Sequence, residues 1–277
     1  MFDLHLHTTA SDGTDTPAEL VRACREAGIA TMAVTDHDTT AAIAEAAREA
    51  ERAGIAFVPG IEITAAWRGS DVHVLGYFID PESQALKSFL ESQIEDRIRR
   101  ARAVGERLAA LGVAIEMESL IARSGGRPVL RPHFAQAMVE AGHVGREQEA
   151  FERYIGEGKP AYVARQGATP ADVVRIIRDA GGLSSMAHPG VTDLDALIPE
   201  LAAAGLDAIE AYHTDHSPDD TARYLATARR LGLAVTGGSD FHGFRSAHSN
   251  GFGRVQLPAA DFAALRRRAA RRGKPPR

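Results

Sequence analysis

The sequence predicts an α/β fold in which a mainly parallel sheet closes, or nearly closes, into a barrel. Apolar, strand-like runs alternate with helical segments over residues 2–79 and again from residue 170, and repeated strand–helix units favour a parallel sheet. Clusters of histidine and acidic residues follow many of these strands. An open sheet collects ligands in one crevice, whereas a barrel gathers them from its strands at one face, so the clusters favour a barrel.

The first strand–helix units precede residue 82. Residues 2–7 alternate apolar and polar side chains, which predicts a strand with one polar face. Thr16 and Pro17 predict the start of a helix that Gly28 ends. The remaining predicted elements are a strand over 29–35, a helix over 39–53, a strand over 55–58 and a hairpin of strands 61–66 and 72–79.

The pattern changes after residue 81, where strand signals stop. Residues 82–111 predict a long polar helix, and shorter helices are predicted at 117–122, 132–141 and 147–155. Alternation then resumes after Thr169. The predicted elements there are helix 170–180, strand 183–188, helix 193–204, strand 206–212, helix 218–231, strand 233–237, strand 254–257 and a helix from 259.

The predicted organisation is therefore a barrel in two parts with a helical insertion between them. The barrel comprises residues 1–81 and 166–265, and the insertion comprises residues 82–165. The tail, residues 266–277, is rich in arginine and is interpreted as a solvated, frayed terminus.

Composition excludes several classes of function. The 277 residues include 32 Lys and Arg against 37 Asp and Glu, a formal net charge of -5, so there is no global basic field to coat nucleic acid. The single cysteine, Cys24, excludes an intrachain disulfide framework and lies on an amphipathic helix, which predicts a buried core residue. The sequence has neither a long apolar run nor a signal peptide, so we expect a cytoplasmic protein without a membrane partner.

The polar clusters predict metal binding. His5 and His7 stand two residues apart on a strand, so both imidazoles point to one face and can chelate an ion. Burying so many polar groups without a counter-charge is costly, and divalent cations remove that cost. Mixed imidazole and carboxylate ligands suit Zn, Mn or Fe. The other clusters are Asp12, Asp36-His37-Asp38, Glu62, His73, His188, and Asp240 with His242.

The segments that carry these residues closely resemble the PHP (polymerase and histidinol phosphatase) family of metal-dependent phosphoesterases, over nearly the whole chain. The resemblance implies a distorted seven-stranded (β/α) barrel with a helical insertion. The matching segments are Asp3-Leu4-His5-Leu6-His7-Thr8-Thr9-Ala10-Ser11-Asp12-Gly13, Thr35-Asp36-His37-Asp38, Gly60-Ile61-Glu62, Ala187-His188-Pro189-Gly190 and Gly238-Ser239-Asp240-Phe241-His242.

The resemblance also implies two or three divalent metal ions. Manganese is the expected ion, and zinc, iron and magnesium are the alternatives. The implied ligands are His5, His7, Glu62 and Asp240 for a first ion, Glu62, His73 and His188 for a second, and Asp12, His37 and His242 for a third.

The implied activity is that of a phosphoric monoester hydrolase, most similar to enzymes that remove the 3′-phosphate of nucleoside 3′,5′-bisphosphates to give 5′-monophosphates. Hydroxide bridging two ions would attack phosphorus. Asp240 is expected to be catalytic as well as a ligand, and His213 is a candidate general acid, as is a metal-bound water.

Several alternatives stay open. Within the family, the chain fits a 5′→3′ exonuclease acting on short single-stranded RNA or DNA, or a histidinol-phosphate phosphatase. An amidohydrolase is disfavoured because no lysine lies on a predicted barrel strand, and a non-catalytic metal-binding module is disfavoured because the ligand positions are retained. No obligate protein partner is evident.

Basic residues of the insertion are predicted to bind the rest of a nucleotide substrate, so that the insertion acts as a cap. A basic loop runs from Arg127 to His133, and Lys159 stands where the insertion returns to the barrel. Arginine pairs with phosphate through two hydrogen bonds and lysine as a point charge. The predicted substrate-binding residues are Arg131, His133, Lys159 and Tyr162, with Tyr162 or Phe134 stacking on a base.

Overall fold

The computed structural model describes residues 1–123, 129, 131–164, 167–246, 251–255 and 257–272. Most of the predicted basic loop before Arg131 and the last five residues of the tail lie outside these ranges. The chain divides into two compact units. The barrel unit comprises Met1–Trp67, Asp71–Ser88 and Ala168–Arg277, and the helical unit comprises Arg68–Ser70 and Phe89–Gly167.

Seven strands form one sheet in chain order. Four pairings are parallel (β1–β2, β2–β3, β5–β6 and β6–β7), and β4 pairs with β5 in the antiparallel direction. The strands are β1 (Phe2–Asp3), β2 (Thr31–Val34), β3 (Ala56–Trp67), β4 (Ser70–Tyr77), β5 (Leu183–Met186), β6 (Ala208–His213) and β7 (Ala234–Gly238).

The sheet nearly closes on itself, because the segment after β1 meets β7 and the loop after it. The Leu4 N–H donates to the Gly237 carbonyl at 3.2 Å, and Leu6 forms a parallel bridge with Phe241. The predicted seven-stranded α/β barrel is therefore confirmed.

The helices include two with starts predicted from Thr-Pro pairs, at Thr16 and Thr169. Thr16, Thr169 and Ser217 each form a capping box. The hydroxyl of the cap residue accepts a hydrogen bond from the backbone N–H of the residue three positions later, and the carboxylate of that later residue accepts one from the backbone N–H of the cap residue. The helices are α1 (Pro17–Glu26), α2 (Ile43–Ala53), α3 (Gln84–Ala110), α4 (Met117–Arg123), α5 (Arg131–Glu140), α6 (Glu147–Ala150, continued by a π-helical turn, Phe151–Ile155), α7 (Pro170–Asp179), α8 (Pro189–Thr192), α9 (Leu197–Ala204), α10 (Pro218–Leu231) and α11 (Ala259–Arg271).

Some predicted elements differ from the structure. The strands predicted at 55–58 and 61–66 are one continuous strand, β3. Gly60 allows this strand to pass close to β2, because a Cβ atom at residue 60 would lie only 2.9 Å from the Val34 carbonyl oxygen. The first strand is shorter than predicted, with Leu6 in only a single bridge. The prediction of a strand at 254–257 is wrong for the described residues 254, 255 and 257, which form turn and loop after β7.

Each unit has its own apolar core. In the barrel unit, one cluster includes Leu4, Tyr77 and Leu265, and another includes Phe241 with the fully buried Cys24, as predicted for that residue. In the helical unit, the core is built from α3 to α6 and includes Leu108, Phe134, Met138 and Ile155. No helix among the described residues is both long and apolar enough to span a membrane.

Candidate metal centre

The nine predicted ligands converge at one end of the barrel. Eight of them come from parallel strands or from the segments that follow these strands, because parallel strands direct their carboxyl ends to the same face. The ninth, His73, lies near the start of β4, which runs antiparallel to β5, so the amino end of β4 reaches the same face. Gly238 lets β7 approach the strand opposite, since any Cβ there would collide with the His5 side chain. Two ligands, His188 and Asp240, have positive φ values of 23° and 56°, which are strained conformations of the kind that cluster at functional sites.

Four ligand atoms form the tightest group. The His5 Nε2 atom lies 3.1 Å from Glu62 Oε2 and 3.2 Å from Asp240 Oδ1. The His7 Nε2 atom lies 3.3 Å and 3.1 Å from the same two oxygens. Ligands held at about 2.0–2.2 Å in a tetrahedron stand about 3.3–3.6 Å apart. The group therefore has about the spacing that one divalent ion requires.

A second group uses the other oxygen of Glu62. Glu62 Oε1 lies 3.1 Å from His73 Nδ1 and 3.2 Å from His188 Nε2, and these two nitrogens are 3.3 Å apart. Because its two oxygens face different groups, Glu62 is placed to bridge two ions.

The third group is wider. The His242 Nε2 atom lies 3.4 Å from Asp12 Oδ1, whereas His37 Nε2 lies 3.8 Å from Asp12 Oδ2. The Asp12 side chain is 43% exposed, in contrast to the fully buried Glu62. This group therefore lies at the solvent side of the centre.

Several buried atoms in these groups have no hydrogen-bond partner among the described residues. They include both ring nitrogens of His7, His37 Nδ1, His188 Nδ1 and Asp240 Oδ1. His7 Nε2 and Asp240 Oδ1 are 3.1 Å apart, yet neither forms a hydrogen bond. Such atoms cost about 1–3 kcal/mol each when nothing satisfies them. An ion that contacts both His7 Nε2 and Asp240 Oδ1 removes that cost for these two atoms, so the donor set fits divalent metal ions.

Hydrogen bonds at the far side of two imidazoles favour the form that binds metal. His5 Nδ1 lies 3.0 Å from a Glu210 carboxylate oxygen and His242 Nδ1 lies 2.8 Å from the Asp240 carbonyl oxygen. Because both oxygens only accept, each Nδ1 carries a proton, and in the neutral ring the Nε2 lone pair is left for an ion. The ligand role predicted for these two residues agrees with this geometry.

His213 has the opposite arrangement. Its Nδ1 accepts the Asp215 N–H at 3.1 Å, so the neutral ring carries its proton on Nε2. That buried Nε2 lies 3.7 Å from Asp240 Oδ2 and has no hydrogen-bond partner among the described residues. His213 is therefore placed to donate a hydrogen bond at the centre.

Glu210 is not among the site residues predicted from the sequence. The fully buried carboxylate accepts from His5 Nδ1 and, at 2.8 Å, from the His188 N–H. One carboxylate thus orients residues of the first and second groups. The available signal was a glutamate inside the apolar strand run Ala208–Ala211.

Asp36 and Asp38 support the centre and lie outside the three groups. Asp36 accepts from the Thr8 N–H at 2.7 Å and from the Ser11 hydroxyl at 2.6 Å, which fixes the turn that carries Asp12. Asp38 accepts from the Thr64 N–H at 3.1 Å and ties the segment after β2 to β3. Of this acidic cluster, only its histidine faces the ligand groups.

The charges at the centre shift the pKa values of its acids and bases. Burial raises the pKa of Glu62, but the facing histidines, led by His37 and His5, outweigh burial and lower it well below its usual value. Burial lowers the pKa of His5, but Glu210, Glu62 and Asp240 outweigh burial and raise it. The carboxylates are therefore ionised and ready to bind metal, and metal binding at His5 displaces a proton.

The predicted substrate-binding residues all lie in the helical unit. The Arg131 guanidinium lies 6.0 Å from the centre of the half-buried Tyr162 ring, whose hydroxyl donates to the Gly69 carbonyl at 3.2 Å. His133 and Lys159 are exposed. The suggestion that Phe134 stacks on a base is wrong, because its side chain is buried in the core of this unit.

Comparison with known proteins identifies the family. Residues 3–152 match the family model of the PHP domain. The chain belongs to the PHP family. This PHP protein is 39% identical over 246 residues to the 3′,5′-nucleoside bisphosphate phosphatase of Chromobacterium violaceum, covering 87% of this chain and 86% of the relative.

Two further relatives broaden the comparison. The PHP protein is 38% identical over 249 residues to the 5′-3′ exoribonuclease Rnm of Escherichia coli, covering 87% of this chain and 85% of the relative. Its fold matches a Bifidobacterium adolescentis protein assigned to the metal-dependent phosphoesterases, with a TM-score of 0.79, 32% identity, and coverage of 99% and 96% of the two chains. The chain is thus a PHP-family metal-dependent phosphoesterase.

Proposed function

We propose that this PHP protein removes the 3′-phosphate of a nucleoside 3′,5′-bisphosphate and releases the nucleoside 5′-monophosphate. The observation that carries the proposal is the 39% identity with the bisphosphate phosphatase of Chromobacterium violaceum across 87% of the chain. The convergence of three ligand groups at one end of the barrel supports it, because a phosphomonoester is highly anionic and needs several positive charges to be held and activated.

The residues assigned to each ion follow from the three groups. His5, His7, Glu62 and Asp240 would hold a first ion, Glu62, His73 and His188 a second, and Asp12, His37 and His242 a third. When bound, divalent ions, of which manganese is our first choice, neutralise phosphate oxygens and lower the pKa of bound water to about 7.

The protein's own groups orient this chemistry. Glu210 holds the imidazole of His5 and the backbone of His188 in place. His213 directs its Nε2–H toward the same space as Asp240 Oδ2, where it donates a hydrogen bond to a phosphate or leaving oxygen. Asp240 would serve as a ligand through Oδ1, whereas the hydrogen bond from the Asp215 N–H to Nδ1 of His213 positions this donor.

The second phosphate is assigned to the helical unit. Arg131, His133 and Lys159 supply positive charge or hydrogen-bond donors, and Tyr162 supplies an aromatic face. Replacing Lys159 by Ala is expected to raise the KM for a bisphosphate without lowering stability, because this side chain is exposed. Unchanged kinetics would remove Lys159 from the proposal.

A second candidate, 5′→3′ exonuclease activity on short RNA, is supported by the 38% identity with Rnm of Escherichia coli. The two activities differ in the leaving group, which is a nucleoside in one case and an oligonucleotide in the other. The same ligand groups serve both.

A phosphate-release and product-analysis assay distinguishes these functions. Manganese-loaded protein would be given adenosine 3′,5′-bisphosphate, a short 5′-phosphorylated oligoribonucleotide and histidinol phosphate. We expect the highest kcat/KM for the bisphosphate, with the 5′-monophosphate as product. Faster release of mononucleotides from the oligomer would favour the exonuclease. Asp240→Asn should abolish activity on every substrate, whereas His143→Ala, at a half-buried histidine of the helical unit, should not.

A further inference from the structure

Phe244 is the one exposed Phe, Tyr or Trp side chain among the described residues, with 63% of its surface in water. It lies in the loop after β7, two residues beyond His242. Two residues of chain span at most about 7 Å, so the Cα atom of Phe244 lies within about that distance of the Cα atom of His242, a residue of the third ligand group.

The Phe244 ring is held in one position. It packs edge-to-face against Phe241, at 5.0 Å and 70° between ring planes, and against Phe252, at 5.8 Å and 86°. Phe241 is fully buried in the core of the barrel unit. The inner edge of Phe244 is thus fixed by the core while the rest of the ring faces solvent.

The backbone of this loop is fixed against the turn that carries Asp12. The Thr14 N–H donates to the His242 carbonyl at 2.7 Å, and the Arg245 guanidinium donates to the Thr14 carbonyl. Gly243, with φ of +94°, lets the two segments meet, because a Cβ there would collide with the Thr14 hydroxyl. The ring and the third ligand group therefore belong to one rigid assembly.

We propose that Phe244 is a stacking platform for the base of the nucleotide whose phosphate is held at the metal centre. The proposal rests on the proposed function and adds a residue that sets substrate preference. A rigid, solvent-facing ring gains from stacking on a flat heterocycle and loses little conformational entropy, because it is already fixed. Every base has an aromatic face, so the platform accepts all four bases.

The test compares substrates with and without a base. The KM and kcat of Phe244→Ala would be measured on adenosine 3′,5′-bisphosphate and on the matching deoxyribose 3,5-bisphosphate that lacks a base. We expect the KM for the adenosine compound to rise about 5- to 150-fold, the range for losing one base–aromatic stack, with kcat unchanged. The base-free compound should show no change.

Two variants serve as controls. Phe244→Trp should keep the low KM for the adenosine compound because indole also stacks on a base. Leu111→Ala removes an exposed apolar side chain of the helical unit and should change the KM and kcat for neither substrate. An equal rise in KM for both substrates in Phe244→Ala, or no change in its kinetics, would overturn the platform.

A binding measurement separates this proposal from the proposed function. Titration of the manganese-loaded protein with adenosine 5′-monophosphate and with ribose 5-phosphate requires no turnover. If Phe244→Ala weakens the binding of adenosine 5′-monophosphate but not that of ribose 5-phosphate, the platform is supported. Failure of the protein to hydrolyse the bisphosphate would overturn only the proposed function. Equal affinity of wild type for the two ligands would overturn the platform.

Discussion

The barrel unit and the helical unit bury different kinds of side chain. The fully or nearly fully buried polar residues that the structure describes include acids and histidines throughout the barrel unit, whereas Gln93 is the one such residue in the helical unit. The helical unit instead has an apolar core that includes Leu108, Phe134 and Met138.

This difference places the buried charged groups in the barrel unit and leaves the helical unit with an apolar core. Burying a charge is costly unless a partner of opposite charge or a metal compensates it. The barrel unit accepts that cost at residues such as Glu62 and Glu210, each surrounded by imidazoles. The helical unit has no comparable group among its described residues.

The largest effect is expected from Glu62→Gln. Losing a residue that only hydrogen-bonds to a metal ligand lowers metal affinity or activity about 10- to 100-fold. Glu62 is itself a predicted ligand of two ions, so we expect kcat/KM to fall about 10⁴-fold or more. Metal analysis should show the loss of bound ions along with activity.

The matched control is Glu118→Gln, an exposed glutamate of the helical unit. It should keep both metal content and activity. Full metal content with full activity in Glu62→Gln would refute the assignment of the centre.

The next effect concerns the helical core. Phe134→Ala removes a buried ring, which typically costs about 3–5 kcal/mol of stability. Urea unfolding measures this loss, and Phe134→Leu should cost much less because it leaves a smaller cavity. If Phe134→Ala instead raised the KM for nucleotides at unchanged stability, the ring would contact substrate and the contrast between the units would fail.

A smaller effect is expected from Glu210→Gln. The amide keeps the shape of the side chain but loses the charge that orients His5, so metal affinity should fall about 10- to 100-fold. Calorimetric titration with manganese measures this affinity, and thermal melting of the metal-free protein checks the fold. Unchanged affinity would mean that Glu210 contributes only to packing.

The smallest effect involves an acid whose pKa is lowered at the surface. Hydrogen bonds from the Thr169 hydroxyl and N–H lower the pKa of Asp172. A carboxyl with a lower pKa in the folded state stabilises the fold above its unfolded value of about 3.9, and this stability is lost as the pH falls through the folded pKa. Asp172→Asn should therefore reduce the urea midpoint near neutral pH and make little difference in strong acid.

The control for this pH dependence is Asp179→Asn, at the other end of α7. Its midpoint should follow that of the wild type at each pH. A constant difference between Asp172→Asn and wild type at all pH values would show that the carboxyl charge is not responsible.

Local sequence predicted the parts of the fold that depend on neighbouring residues. The Thr16-Pro17 and Thr169-Pro170 pairs predicted the starts of α1 and α7, because a capping hydroxyl and a fixed proline φ act within one turn. The strand predicted at 254–257 is wrong for the described residues 254, 255 and 257, because so short a run forms a strand only where another strand is available to pair with it.

Local motifs also identified the candidate ligands. They did not show which histidines carry a proton on Nδ1 and which on Nε2. His5 and His213 are both histidines near strand ends, yet their neutral tautomers differ, because Nδ1 of His5 faces the Glu210 carboxylate whereas Nδ1 of His213 accepts the Asp215 N–H. Glu210 and Phe134 were misjudged for the same reason, since burial depends on residues distant in the chain.

The sequence by itself determined the alternation of strands and helices, the family and the set of candidate metal-binding side chains, because these follow from periodicity and from short motifs. The tertiary structure alone decided which oxygen of Glu62 faces which histidines, that Glu210 supports them, and that Phe244 is exposed while Phe134 is buried. Distances of a few ångströms between residues far apart in the chain, such as His5 and Glu210 at 205 positions, arise only when the barrel closes.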